Sequence, residues 1–234
     1  MIRQRIEQIR GKIDGVCKRI GRDPHEIILI GVTKYTSLEK IQAALACGIT
    51  HIGENKVQDA QTKFPALDPF IKSLSFAITK HMIGHLQTNK VKTALEIFDI
   101  IQSVDSLKLA REIDKQAAKL EKTAEIFVEV NTGGEEEKYG VPQTEALKLI
   151  EDITACPHIR ISGLMTMAPL VEDRNIIRRC FRDLREIRDQ AREKFKGHER
   201  LDLKYLSMGM THDFEIALEE GANMLRIGRA IFGE

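Results

Sequence analysis

No run of apolar residues in this sequence approaches the roughly 20 that a membrane-spanning helix needs. Charge of one sign is also lacking. The formal net charge is +1 over 234 residues, which exerts no global pull on nucleic acid or anionic lipid. The N-terminus, MIRQRIEQIRGKIDGVCKRIG, alternates charges with isoleucines and carries no secretory apolar core. Cys17, Cys47, Cys156 and Cys180 form no CxxC pair, so reduced, structural thiols of a cytoplasmic protein are expected. No Pro/Gly/Ser-rich linker divides the chain and no solenoid-length repeat runs through it. A single domain over 1–234 is the expectation.

Periodicity is abundant. Ile2, Ile6, Ile9, Ile13, Val16 and Ile20 are spaced by fours and threes and predict one helical stripe over 1–21, with Gly21 to end it and Pro24 beyond. Strands are then predicted at 27–32, 51–54, 80–84, 98–104, 124–131, 159–167, 203–209 and 223–228, each followed by a helical pattern. In the first of these helices Thr36 and Glu39 have capping-box spacing. A helix is predicted over 55–64, whereas 66–79 is irregular and left unassigned. Strand followed by helix, eight times over this length, points to a single parallel (β/α)8 barrel of the TIM type with an extra N-terminal helix. A doubly wound open sheet is the competing arrangement, but no GxGxxG follows the first strand.

Such barrels build their sites at the C-terminal ends of the strands. There the sequence places Lys34, Glu54, Asn55, Gly84, His85, Ser103, Asn131, Met165, Thr166, the run from Ser207 to Gly209 and the run from Arg226 to Arg229. Lys34 ends an apolar strand. A desolvated amine there is a Schiff-base nucleophile; the plain alternative is a solvated ammonium at the start of a loop. The loops after the last two strands read SMGMTHD and RIGRAIFG. Gly209 and Gly228 let the backbone approach an anion, amides at the start of the short helix near Arg229 can bind it, and Ser207 adds a hydroxyl. An amine together with a phosphate cradle points to pyridoxal phosphate or to a phosphorylated sugar. His81 and His85 have i, i+4 spacing but lie on and just beyond a strand with no completing carboxylate, so no metal site is expected. The loop GGEEEKYG has glycines, but its glutamates repel an anion. The arginines of 174–194 alternate with acids and read as a solvated helix face rather than a nucleic-acid patch.

GVTKYT, HIGENKVQDA, KHMIGHLQTNK and SMGMTHDFEIALEEGANMLRIGRAIFG resemble the motifs of the pyridoxal phosphate homeostasis protein family, over nearly the whole chain. The resemblance implies one barrel similar to the N-terminal domain of alanine racemase. It implies bound pyridoxal 5'-phosphate (PLP) and a role in vitamin B6 and amino-acid homeostasis without established catalysis. By position, Lys34 becomes the Schiff-base lysine and Asn55 lies beside the cofactor. Ser207 and Met208, with the amides of Gly228 and Arg229, hold the phosphate, and Arg226 faces the pyridine nitrogen. Arg229 stands where many members have threonine, and Lys56 and Asp59 replace a frequent tyrosine and glutamate. Lys138 matches a family position and receives no role. The implied partners are the cofactor and, as acceptors, PLP-dependent apoenzymes, with no nucleic acid or membrane.

Two catalytic alternatives compete with a carrier. An aldolase using Lys34 would leave the Arg226 motif without purpose. A PLP-dependent amino-acid racemase needs acid–base groups on both faces of the substrate. In alanine racemase the group opposing the lysine is a tyrosine from a second domain of the partner subunit. Here the chain ends just after the eighth strand and offers only Tyr35, Tyr139 and Tyr205, so no enzyme and a monomer are the expectations.

Overall fold

The computed structural model describes residues 1–135 and 139–233. Lys138 and part of the GGEEEKYG loop lie outside the described residues. Helix α1, Ile2–Ile20, buries Ile6, Ile9, Ile13, Val16 and Cys17 and ends at Gly21, whose φ of 69° supplies the left-handed cap. It packs on α2, Leu38–Ala46, and against the two last helices of the chain.

The strands follow in chain order: β1 Ile28–Val32, β2 His51–Glu54, β3 Thr79–Met82, β4 Ile100–Val104, β5 Ala124–Asn131, the two-residue β6 Val141–Pro142, β7 Ile159–Met165, β8 Leu201–Ser207 and β9 Met224–Ile227. All pairings are parallel. The ladder runs β4-β3-β2-β1-β9-β8-β7-β5, and β5 pairs back onto β4. That last pairing closes an eight-stranded barrel and leaves β6 as a short addition on β5. Around it lie α2, α3 Val57–Lys72, α4 Val91–Ile97, α5 Leu107–Lys119, α6 Gln143–Ile153, α7 Arg174–Lys194, α8 Phe214–Glu219 and α9 Arg229–Phe232. Among the described residues no helix is long and apolar enough to cross a membrane.

Strand alternation sorts the side chains into two layers. On β9, Leu225 and Ile227 face the outer core between barrel and helices, whereas Met224 joins a smaller core inside the barrel with Ile30, Ile100, Phe127 and Met165. The same parity turns Arg226 inward. Two local expectations change. The cap of α2 is Ser37 rather than Thr36, and Thr36 instead bonds back to the Lys34 carbonyl. Helix α3 does not stop at 64 but continues to Lys72 through Pro65 and Pro69. A proline inside a helix costs about 3 kcal/mol, yet burial of Phe64 and Leu67 in the outer core holds the helix through both.

Candidate functional site

A cavity of about 480 Å³ opens at the C-terminal ends of the strands, within the usual range for small-molecule sites. Lys34, Asn55, Arg226, Gly228 and Arg229 all line it; Ser207 and Met208 do not. Depressions of about 640 and 670 Å³ lie beside Tyr139, but neither reaches Arg226.

Lys34 stands in a tight turn closed by a hydrogen bond from the Thr36 amide to the Thr33 carbonyl, 3.0 Å. Tyr35 occupies the third position of this turn at φ 61°, a conformation that usually selects glycine. The Lys34 ammonium is exposed and makes no hydrogen bond or ion pair with any described residue. Opposite, Asn55 Oδ1 is buried without a partner. The Asn55 backbone can take this place only because residue 84 is glycine: a Cβ there would stand 2.3 Å from the Asn55 carbonyl oxygen.

The cavity floor is Arg226, 4% exposed. Its Nη1 donates to Ser207 Oγ and its Nη2 to the Thr166 carbonyl, both at 2.7 Å. Burial pulls its pKa down to about 10, while Glu129 and Asp213 push the other way, so the guanidinium stays charged at neutral pH. Because arginine only donates, the polarity of the chain behind it is set. Ser207 donates to Gln102 Oε1 (2.7 Å), and Gln102 Nε2 donates to His81 Nδ1 (2.9 Å). His81 therefore carries its proton on Nε2 and donates to His51 Nδ1 (2.9 Å). Burial first, and the neighbouring His51 second, hold the His81 pKa at about 3, so it is neutral.

This chain accounts for the two expected phosphate ligands that the cavity lacks. The Ser207 hydroxyl accepts from Arg226 and donates to Gln102, so it is spent beneath the floor. Met208, one residue on, faces the opposite layer and is buried in the outer core, and its amide donates to the Met224 carbonyl. Beside Tyr35 and Thr36 of the Lys34 turn, the hydroxyl residue lining the cavity on this side is Thr211, in the loop after β8. It belongs to the SMGMTHD motif, but strand parity does not extend into a loop, so the motif alone does not separate it from Ser207. Met167, Pro169 and Leu170 add an apolar wall from the loop after β7, which begins two residues before the end of the strand expected over 159–167. At the last strand end Gly228 caps α9: its carbonyl accepts from the Ile231 and Phe232 amides, which leaves the amides of Arg229 and Ala230 outside the helix ladder. His81 and His85 diverge: His81 is sealed in the barrel, whereas His85 stacks on Tyr139 at 4.0 Å.

Residues 12–234 match the family of the alanine racemase N-terminal domain. The chain is 39% identical to the pyridoxal phosphate homeostasis protein of Aquifex aeolicus, over 99% of this chain and 97% of that one. It is 35% identical to the protein of the same name from Helicobacter pylori, over 99% and 98%. The chain belongs to the pyridoxal phosphate homeostasis protein family. Among solved structures it is similar to PipY of Synechococcus elongatus with PLP bound, at TM-score 0.84 and 30% identity over the whole of both chains. An alanine racemase of Clostridium difficile, 13% identical, shares the fold at TM-score 0.73, covering 96% of this chain and 55% of the racemase. Against the usual motifs of this family, the Arg229 side chain is exposed at the cavity edge and the Lys56 side chain is exposed outside it. An amide contact at residue 229 survives the change from threonine; a hydroxyl contact does not.

Proposed function

We propose that this protein holds PLP through Lys34 in the cavity at the strand ends, as a carrier that serves PLP and amino-acid homeostasis. The observation that carries the reading is one cavity joining an uncommitted amine, Lys34, to a buried, permanently donating Arg226. The cavity residues fit the cofactor. Asn55 Oδ1 lacks the donor that a hydroxyl would provide, and Thr211 with the amide of Arg229 at the start of α9 offers donors to a phosphate. When bound, PLP supplies an aldehyde carbon open to an amine. Lys34 Nζ would provide the covalent attachment, Arg226 would orient the ring by donating to its nitrogen, and Met167 and Pro169 would exclude water from one face.

Catalysis is not part of the proposal. An arginine donor keeps the ring nitrogen an acceptor and a poor electron sink. No tyrosine opposes Lys34: Tyr35 shares its turn, Tyr139 stacks on His85, and Tyr205 packs on Phe127 inside the barrel. We further propose that the protein is a cytoplasmic monomer that passes its cofactor to PLP-dependent apoenzymes. The test is the visible spectrum of protein incubated with PLP, before and after borohydride, with peptide mapping of the reduced adduct. The label is expected on Lys34 and absent from Lys34→Ala; a label on Lys56 or another lysine overturns the assignment.

A further inference from the structure

Behind the Lys34 turn lies a buried ion pair outside the cavity. Glu54, at the end of β2, is fully buried. Its Oε1 is 2.7 Å from Nζ of Lys63, which lies on α3 and is 19% exposed. The same Nζ donates to the Thr33 carbonyl at 2.7 Å. Glu54 Oε1 also accepts from the Thr33 hydroxyl at 2.8 Å, and its Oε2 from the Asn55 amide at 3.3 Å. The Thr33 amide is bonded as well, to the Gly53 carbonyl at 2.9 Å. Every polar group of the residue before Lys34 is therefore fixed. Its carbonyl is doubly used, by Lys63 and by the turn-closing amide of Thr36.

As a stability device such a pair is weak, since desolvation of both charges offsets their attraction. As a clamp it has a clear object. Tyr35 at φ 61° makes the turn strained, and a strained turn persists only where its surroundings over-determine it. One carboxylate serves two lining residues, Lys34 through the preceding Thr33 and Asn55 directly.

We propose that Glu54 and Lys63 are positioning residues for Lys34, locking Thr33 so that the strained turn aims the amine into the cavity. This rests on the reading of Lys34 as the attachment point. In that step the unprotonated Nζ bonds to the aldehyde carbon and the aldehyde oxygen leaves as water, with no net oxidation. Its rate depends on how closely Nζ is held to the carbon. Noncovalent docking of ring and phosphate does not depend on it.

The test compares wild type with Thr33→Val, Thr33→Ser, Glu54→Gln and Lys63→Met. For each, the rate of borohydride-fixable adduct formation on Lys34, the affinity for pyridoxine 5'-phosphate (which has no aldehyde) and the melting temperature are measured. Thr33→Val and Lys63→Met are expected to slow adduct formation by roughly tenfold or more and to leave pyridoxine 5'-phosphate affinity near wild type. Thr33→Ser, which keeps the hydroxyl, should restore the rate. The Thr33 variants carry the test if removal of one charge unfolds the protein. An unchanged rate in folded Thr33→Val, or rate and analogue affinity falling together, overturns the clamp. A wild-type protein that forms no adduct on Lys34 sinks the parent reading instead, and the clamp with it.

Discussion

Replacing Ser207 with alanine distinguishes a hydroxyl that supports Arg226 from one that binds phosphate. In the structure it has two partners, the Arg226 guanidinium and Gln102 Oε1, each at 2.7 Å. Losing the first removes a charge-assisted bond worth about 1.5–3 kcal/mol, and losing the second leaves a buried acceptor unmet at about 1–3 kcal/mol. Partial relaxation of Gln102 towards its neighbours lowers the total, so about 3 kcal/mol is expected. For a chain of this size that corresponds to a fall in melting temperature of about 6–12 °C. Cofactor affinity should fall as well, because Arg226 loses the contact that orients it. The fall should be equal for PLP and for pyridoxal, since the hydroxyl does not reach the cavity. Thr211→Ala is the counterpart. It changes stability by less than about 0.5 kcal/mol but weakens PLP roughly tenfold or more relative to pyridoxal, the value of a hydrogen bond to a charged group. Thermal melts and the ratio of the two dissociation constants decide between them. A Ser207→Ala protein with unchanged melting and a collapsed phosphate preference would refute this account.

Gly228→Ala should bind PLP nearly normally, because its Cβ would sit 3.4 Å from Val32. Gly228→Val should lose binding as its branches meet that strand end, and Arg229→Ala should change little if the contact is through the amide; titration of the three variants checks this. Stability should respond to pH in two opposed ways. The pKa of His81, held down at about 3, makes its contribution complete above the ordinary histidine value of about 6.5 and lost as pH falls towards 3. The pKa of Glu129 is pushed up to about 7 by burial and by Asp105, with Arg226 opposing. The folded state therefore loses stability as pH rises from the ordinary carboxylate range, about 4.3, through 7. Glu129→Gln should flatten the neutral side of a melting-temperature profile and leave the acid side intact; an unchanged neutral slope would show that Glu129 is not its source. Incubation with L-alanine followed by chiral chromatography should show no racemisation above that of free PLP. Turnover that Lys34→Ala abolishes would replace the carrier reading with a racemase.

The alternation of strand and helix was legible because its signals are local. Apolar runs such as 27–32 and periodic faces such as that of α1 follow from period 2 and period 3.6 alone. Lys34 was legible for the same reason, standing where an apolar strand stops and a helix begins. Closure of the barrel depends on β4 meeting β5, a pairing that the parallel-strand count implies but no local pattern encodes. The run 66–79 stayed unassigned because it has no regular period, whereas the burial of Phe64 and Leu67 that carries α3 on to Lys72 is set by packing against the barrel. Motif adjacency likewise grouped Ser207 with Met208, whereas the pleat sends one beneath Arg226 and the other into the outer core. Glu54 and Lys63 lie on a strand and on the helix after it, a separation that matches neither period. Only the packing of α3 against the barrel brings that carboxylate and that ammonium to Thr33. The tertiary structure alone decided the clamp, because a buried charge finds its partner through space and not along the chain.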